Sequence, residues 1–230
     1  MHILNWNAIG EDMPTDGLIP AKQDIPQWYK DIRVVNMSNL QFNDRNEKIT
    51  SVKNCVPYLE ALTFGYLATL WTDLYVNKDS HGVPRINWYG GPDPIVTRPI
   101  TDNVVPKPDN FIDINLGLNS PYMFQAPKGY SALITPPLNR YDLPFTVLSG
   151  VVDLDVLLSP GVFPFYIKED FEGHIPIGTP LFQIIPFKRD AWKSKKDDKM
   201  LEEQLKQKSA KDRQLLNWYR HHAWIKKDFS

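Results

Sequence analysis

One cysteine, Cys55, stands in 230 residues. It rules out an intrachain disulfide and any zinc site built on several thiolates, and it suits a reducing compartment. Long apolar runs are missing too. The longest, residues 151–165, is broken by Asp153, Asp155 and two prolines, short of the roughly 20 apolar residues a membrane-spanning helix needs. The first residues, Met1 to Asn7, carry neither a basic start nor an apolar stretch ending in small residues, so they do not read as a secretion leader. A soluble, cytoplasmic protein is expected, with no membrane partner. Only 12 glycines are present, and none falls into a phosphate-loop, dinucleotide or nucleophile-elbow pattern.

What is present points to a β protein. Hydrophobic residues make up 42% of the chain and aromatics 12%, enough for one substantial core. Ten of the 20 prolines lie between Pro92 and Pro144, which excludes long helices there because proline lacks the amide donor and clashes with the preceding turn. Alternation of period two predicts strands from Tyr66 through Val76 and at 85–89, joined as a hairpin by Asn77 to Gly82. Further strands are expected at 111–116, 122–125, 130–135, 146–152, 163–167 and 181–187, with residues 92–109 as a loop. Short strands so spaced favour a barrel or sandwich.

Helices are expected at the two ends. A short one is expected over 25–30 with Pro26 at its first position, and another near 56–64, where Val56, Leu59 and Leu62 recur at helical spacing and Cys55 reads as a buried structural thiol. After Trp192 the composition changes. Residues 195–220 lack proline and glycine and place Leu201, Leu205, Leu215, Leu216 and Tyr219 close together on a helical wheel, which predicts an amphipathic helix with a break near Ser209. The division is therefore a mainly β domain over 1–192 and a helical tail over 193–230. Residues 188–230 have a charge balance of +6 against −7 for the rest, together the net −1. Such a tail could grip nucleic acid through its mixed cations and aromatics, Trp218 to Lys227, but docking of Trp218, Tyr219 and Trp224 on the acidic body or on a neighbouring subunit ranks above it. His81, His174 and the pair His221-His222 have no second ligand at a diagnostic offset, so no metal site and no cofactor is expected.

The most informative stretch runs through Tyr130-Ser131-Ala132-Leu133-Ile134-Thr135-Pro136-Pro137-Leu138-Asn139-Arg140, then Ser149-Gly150-Val151-Val152-Asp153, then Gly178-Thr179-Pro180-Leu181-Phe182-Gln183. Its layout resembles the dUTPase and dCTP deaminase superfamily across residues 130–189, which implies a β-clip type of barrel. The resemblance gives Asp153 the catalytic role of holding a sugar and orienting water, and gives Asn139, Arg140 and Gln183 the ligand-binding roles. The family's Tyr-Arg-Gly after the aspartate is replaced by Leu154-Asp155-Val156, Val151 stands where a ring packs on deoxyribose, and no glycine-rich arm ends the chain. The expectation is therefore a binder of a nucleotide or other phosphorylated small molecule. If it were an enzyme at all, it would be a nucleotide hydrolase. Over the whole length, Ile25 to Lys30, Pro57 to Thr63, Pro137 to Phe145 and Ile184 to Arg189 make the chain similar to uncharacterised proteins of marine tailed phages and ocean metagenomes. That likeness implies a host-cytoplasmic setting and admits a second reading, a non-enzymatic phage structural or host-interaction protein. A homo-oligomer is expected on either reading. Against both stands a plain structural role for the Pro137–Phe145 corner, in which Arg140 pairs with Asp142 or Asp153.

Overall fold

A computed structural model describes residues 2–10, 13, 16–98, 107–112, 115–158, 161–214 and 216–230. In chain order its elements are β1 (Asn5–Ala8), β2 (Leu18–Pro20), α1 (Gln27–Asp31), β3 (Gln41–Phe42), β4 (Lys48–Ile49), α2 (Val56–Thr63), β5 (Tyr66–Thr69), β6 (Leu74–Lys78), β7 (Pro84–Asn87) and β8 (Ile95–Thr97). There follow β9 (Phe111–Ile112), β10 (Leu116–Asn119), β11 (Tyr122–Gln125), β12 (Tyr130–Thr135), β13 (Phe145–Val147), β14 (Gly150–Val152), β15 (Val162–Lys168), β16 (Gly173–Ile175), β17 (Pro180–Lys188), α3 (Met200–Arg213) and α4 (Trp218–His222).

The chain is mainly β and sandwich-like, and its sheets do not close into a barrel among the described residues. One layer is the sheet β14-β12-β17-β5-β2, and the other is β13-β15-β10-β8 with β9 also on β15. Alternation along each strand sends one set of side chains inward. From the first layer come Ala132, Ile134, Phe182, Ile184 and Ala68, and from the second Phe145, Val147, Phe163, Phe165 and Leu118, all buried in one cluster. Phe163 and Phe182 meet across the layers with ring centroids 5.3 Å apart. A third sheet, β16-β6-β7, buries Leu74, Val76 and Ile175 in the same core and turns its other face outward.

Three expected strands divide. The run from Tyr66 to Val76 becomes β5 and β6, which lie in different sheets. Leu70 and Trp71 are both buried between them, where two adjacent side chains of a regular strand would face opposite ways. The strand expected over 146–152 likewise splits into β13 and β14, so this segment crosses from one layer to the other. The strand expected at 111–116 becomes β9 and the start of β10, with residues 113–114 outside the described set.

Helix α2 lies on the outer face of the sheet β14-β12-β17-β5-β2, where Gln183 of β17 donates to its Ala61 carbonyl. α2 packs Val56 and Leu62 inward and ends before Gly65, whose φ of +73° and contact with β17 leave no room for a Cβ, the nearest atom being the Ile184 carbonyl oxygen. Cys55 is exposed at the N-cap of α2, not buried. The tail helix α3 runs unbroken through Ser209 and is exposed throughout. The break falls later, after Arg213, and Asn217 with φ +60° precedes α4; Leu215 lies outside the described residues. Beyond α4 the chain returns to the body. Trp224 Nε1 and Lys227 Nζ both donate to Glu60, Lys22 pairs with Asp228 at 2.7 Å, and Phe229 packs on Phe64 at 4.7 Å. No helix among the described residues is long and apolar enough to cross a membrane.

Candidate functional site

Pro136 and Pro137 end β12 and start the corner that leads to β13. Proline fixes its own φ and donates no amide. Asn139 then takes the left-handed conformation, φ +60°, which asparagine tolerates better than most residues. The turn closes with Arg140 N donating to Pro137 O at 3.2 Å and Leu143 N to Arg140 O at 3.3 Å.

This geometry turns the Arg140 side chain back under the corner, where only 11% of it is exposed. Its guanidinium donates through Nε and Nη2 to Asp142 at 3.1 and 3.0 Å, and through Nη1 to Asp24 Oδ2 at 2.6 Å. Trp28 Nε1 donates to the same Asp142 carboxylate at 3.2 Å. Burial disfavours both charges, yet the paired hydrogen bonds prevail, so Asp142 is held below the usual carboxylate range and Arg140 above its own.

Gln183 is 1% exposed in the middle of β17. Its Oε1 accepts from Leu138 N at 2.8 Å, and its Nε2 donates to the carbonyls of Ala61 and Phe64. It therefore ties the corner to the end of α2.

Asp153 lies at the other end of β12. It accepts from Ser131 Oγ at 2.6 Å and pairs with Arg189 at 3.1 Å, while Arg189 also grips Asp155, which accepts from Gly129 N at 2.8 Å. Since Gln183 pairs with Thr135 and Asp153 bonds Ser131, four residues of strand, roughly 13 Å, separate the two. Asn139 and Arg140 are thus brought together, Gln183 supports them from below, and Asp153 belongs to a separate ionic clamp joining β12, β14 and β17.

The clamp predicts an acid response. The Arg189 hydrogen bond, with the Gly129 amide behind it, pulls Asp155 down to about 2, and Ser131 followed by Arg189 lowers Asp153. Because the folded values are depressed, the stability these groups lend is full above an ordinary carboxylate pKa of about 4 and is lost as pH falls through the folded values. The thermal midpoint should hold steady down to about pH 5 and fall between roughly pH 4 and 2. In Arg189→Ala that fall should be shallower, and an equally steep fall in the variant, followed by circular dichroism, would remove the clamp from the account.

Two clefts flank the corner. The larger, 510 Å³, has Phe111, Phe145 and Tyr141 among its walls, Asn139 on its lining, and Thr135 and Ser149, whose hydroxyls are 2.9 Å apart. Lys168, from the end of β15, also lines it and donates to Tyr141 O at 2.8 Å. The smaller, 440 Å³, lies on the other side of Arg140 and reaches Asp24, Phe171 and His174. The sequence reading missed Lys168, because a lone lysine at a strand end carries no local signal, and it missed Asp24, which lies 116 residues from its partner. Among the described residues no group of three His, Cys, Asp or Glu side chains could hold a metal. Comparison of the chain with protein-family models, curated proteins and solved structures finds no match.

Proposed function

We propose that the protein binds a phosphorylated small ligand, a nucleotide first among them, in the 510 Å³ cleft beneath the corner. The observation that carries this reading is Lys168 beside aromatic walls. An ammonium has three donors, of which one is given to Tyr141 O, and the others can meet phosphate oxygens. Phe111 and Tyr141 offer surface for a planar base, and the Thr135–Ser149 hydroxyl pair offers hydrogen bonds to a sugar. A cleft of this size with apolar walls and a few polar groups suits such a ligand. The resemblance of residues 130–189 to nucleotide-handling enzymes supports the same placement at Asn139, with Lys168 taking the phosphate in place of the engaged Arg140. Asp153 has no part in this reading, which is binding without an assigned reaction.

In a dye-based melting screen of nucleoside phosphates and sugar phosphates, a ligand at about 100 times its Kd adds roughly 2.7 kcal/mol, a shift of about 5–10 °C for a chain of this size. Lys168→Ala should abolish the shift and leave the unliganded midpoint within about 2 °C. The absence of any shift across the screen overturns the reading.

The second reading, a non-enzymatic structural or host-interaction protein that self-associates, is favoured by Val151, Val156, Leu157 and Leu158, aliphatic side chains all about half or more exposed around the edge strand β14.

A further inference from the structure

The sheet β16-β6-β7 presents its outer face to solvent. Its registers set His174 opposite Tyr75 and Tyr75 opposite Asn87 in one row, and Asn77 opposite Arg85 in the next. Asp73 and Glu172 lie two residues along their chains from Tyr75 and His174, and Tyr89 two residues beyond Asn87, so all three fall on the same side. The opposite side, with Leu74, Val76 and Ile175, is buried. Within the strands no aliphatic side chain occupies these outward positions, and the aliphatic Val83, two residues before Arg85, lies at the margin. They carry aromatic rings and the planar, hydrogen-bonding ends of Asn, Asp, Glu and Arg.

The rings are held in place. His174 stacks on Tyr75 with centroids 4.9 Å apart and 16° between planes, and its Nε2 lies 2.8 Å from Asp73 Oδ1, which also accepts from Ile177 N at 3.0 Å. The Ile177 amide, then His174, holds the Asp73 carboxyl below its usual range, so it remains an acceptor. Tyr89 meets Tyr75 at 6.0 Å and 64°, which forms a corner. The Tyr89 wall of that corner is 81% exposed. On the floor Asn87 Nδ2 donates to Asn77 Oδ1 at 3.1 Å, which leaves Asn87 Oδ1 as an acceptor and the Asn77 amide as a donor.

We propose that this face is a carbohydrate-binding surface for neutral, extended saccharides. A pyranose ring has a face of C–H bonds that packs on an aromatic ring, attracted by the negative π cloud, and Tyr89 supplies that ring. Its vicinal hydroxyls each need a donor and an acceptor at fixed spacing, which amide and carboxylate ends provide, here Asn87, Asn77 and Asp73. Stacked bases of single-stranded nucleic acid also seek exposed rings, but they bring a phosphate on every nucleotide and need unpaired cations. The cations of this face are engaged: Arg85 with Asp79 at 2.9 Å and Lys78 with Glu172 at 3.9 Å. Asp73 adds negative charge. The charge pattern thus selects a neutral polymer over a polyanion.

The test is affinity electrophoresis of the full chain in native gels cast with four neutral polysaccharides, a glucan, a mannan, a galactan and a xylan, beside single-stranded DNA. Retardation by at least one polysaccharide is expected, unchanged at high salt. Tyr89→Ala and Asn87→Ala should each weaken it about tenfold, without moving the melting point, since both side chains are exposed. Lys168→Ala should bind as the wild type does, which separates this surface from the corner cleft. Retardation by none of the four, retention undiminished in Tyr89→Ala, or binding only to DNA and only at low salt each overturns the proposal.

Discussion

Arg140→Ala is expected to lower the thermal midpoint of the unliganded protein by roughly 6–12 °C, on an order of 3 kcal/mol lost and the usual 2–4 °C per kcal/mol for a domain of this size. The side chain is 11% exposed and bridges two carboxylates from distant parts of the chain, Asp24 before α1 and Asp142 in the corner. Deleting it leaves both carboxylates facing each other across a vacated space. Removing one partner of a fully buried pair costs about 3–5 kcal/mol. The low end applies because Asp24 and Asp142 are themselves over a third exposed and water can reach them. Arg140→Lys should recover only part of the loss, since an ammonium cannot reproduce the fork that engages Asp142 through two nitrogens and Asp24 through a third. A midpoint within 2 °C of wild type, read by calorimetry, would show the guanidinium to be dispensable to the fold and return it to the ligand.

The contrast between Arg140 and Lys168 shows what the sequence could and could not disclose. The corner was legible: two prolines, an asparagine able to take positive φ and an aspartate two residues from the arginine mark a tight turn with a local ion pair. The third partner was not legible, because no pattern links Asp24 to a position 116 residues away. The same reason misplaced Asp153. The motif arrangement put it with Arg140 and Gln183, but strand register puts Ser131 and Thr135 at opposite ends of β12, and the aspartate follows Ser131.

Within the fold, β11, β12 and β17 lie where short strands were expected, although β12 and most of β17 bury side chains on both faces. The run from Tyr66 to Val76 alternates clearly, yet it serves two sheets. Period two reports that a residue faces a core, not which sheet holds its backbone, and so the interruption at Leu70 and Trp71 left no trace in the pattern. Strands of three residues such as β8 and β16 are too short to show any period. The outer face of β16-β6-β7 was invisible for a related reason. Tyr75, Asn87, Tyr89 and His174 look like scattered polar and aromatic residues until register sets them in rows.

The largest effect is expected from Gln183→Leu. Leucine fills a similar volume in β17, so little cavity is created and the change is chiefly one of hydrogen bonding. The glutamine serves three main-chain groups, accepting from Leu138 N and donating to the carbonyls of Ala61 and Phe64. The side chain is 1% exposed, and water cannot take its place without opening the structure. Each buried main-chain group left unpaired costs about 1–3 kcal/mol, so three groups near the low end of that range total roughly 3–5 kcal/mol, and a midpoint lowered on the order of 10 °C is expected. Leu138 opens the ligand-side corner and Phe64 ends α2, so the damage should reach both. Amide exchange of Leu138 should speed up, and α2 should lose its seat on the sheet. Gln183→Glu separates this role from ligand binding. A carboxylate still accepts from Leu138 N but presents charge to two carbonyls, so above its pKa the variant should be at least as unstable as Gln183→Leu, whereas a ligand-facing position would be free to ionise at little cost to folding. If both variants melt with the wild type and differ only in their response to nucleotides, Gln183 faces the ligand, and the tie between the corner and α2 is not what holds the corner in place.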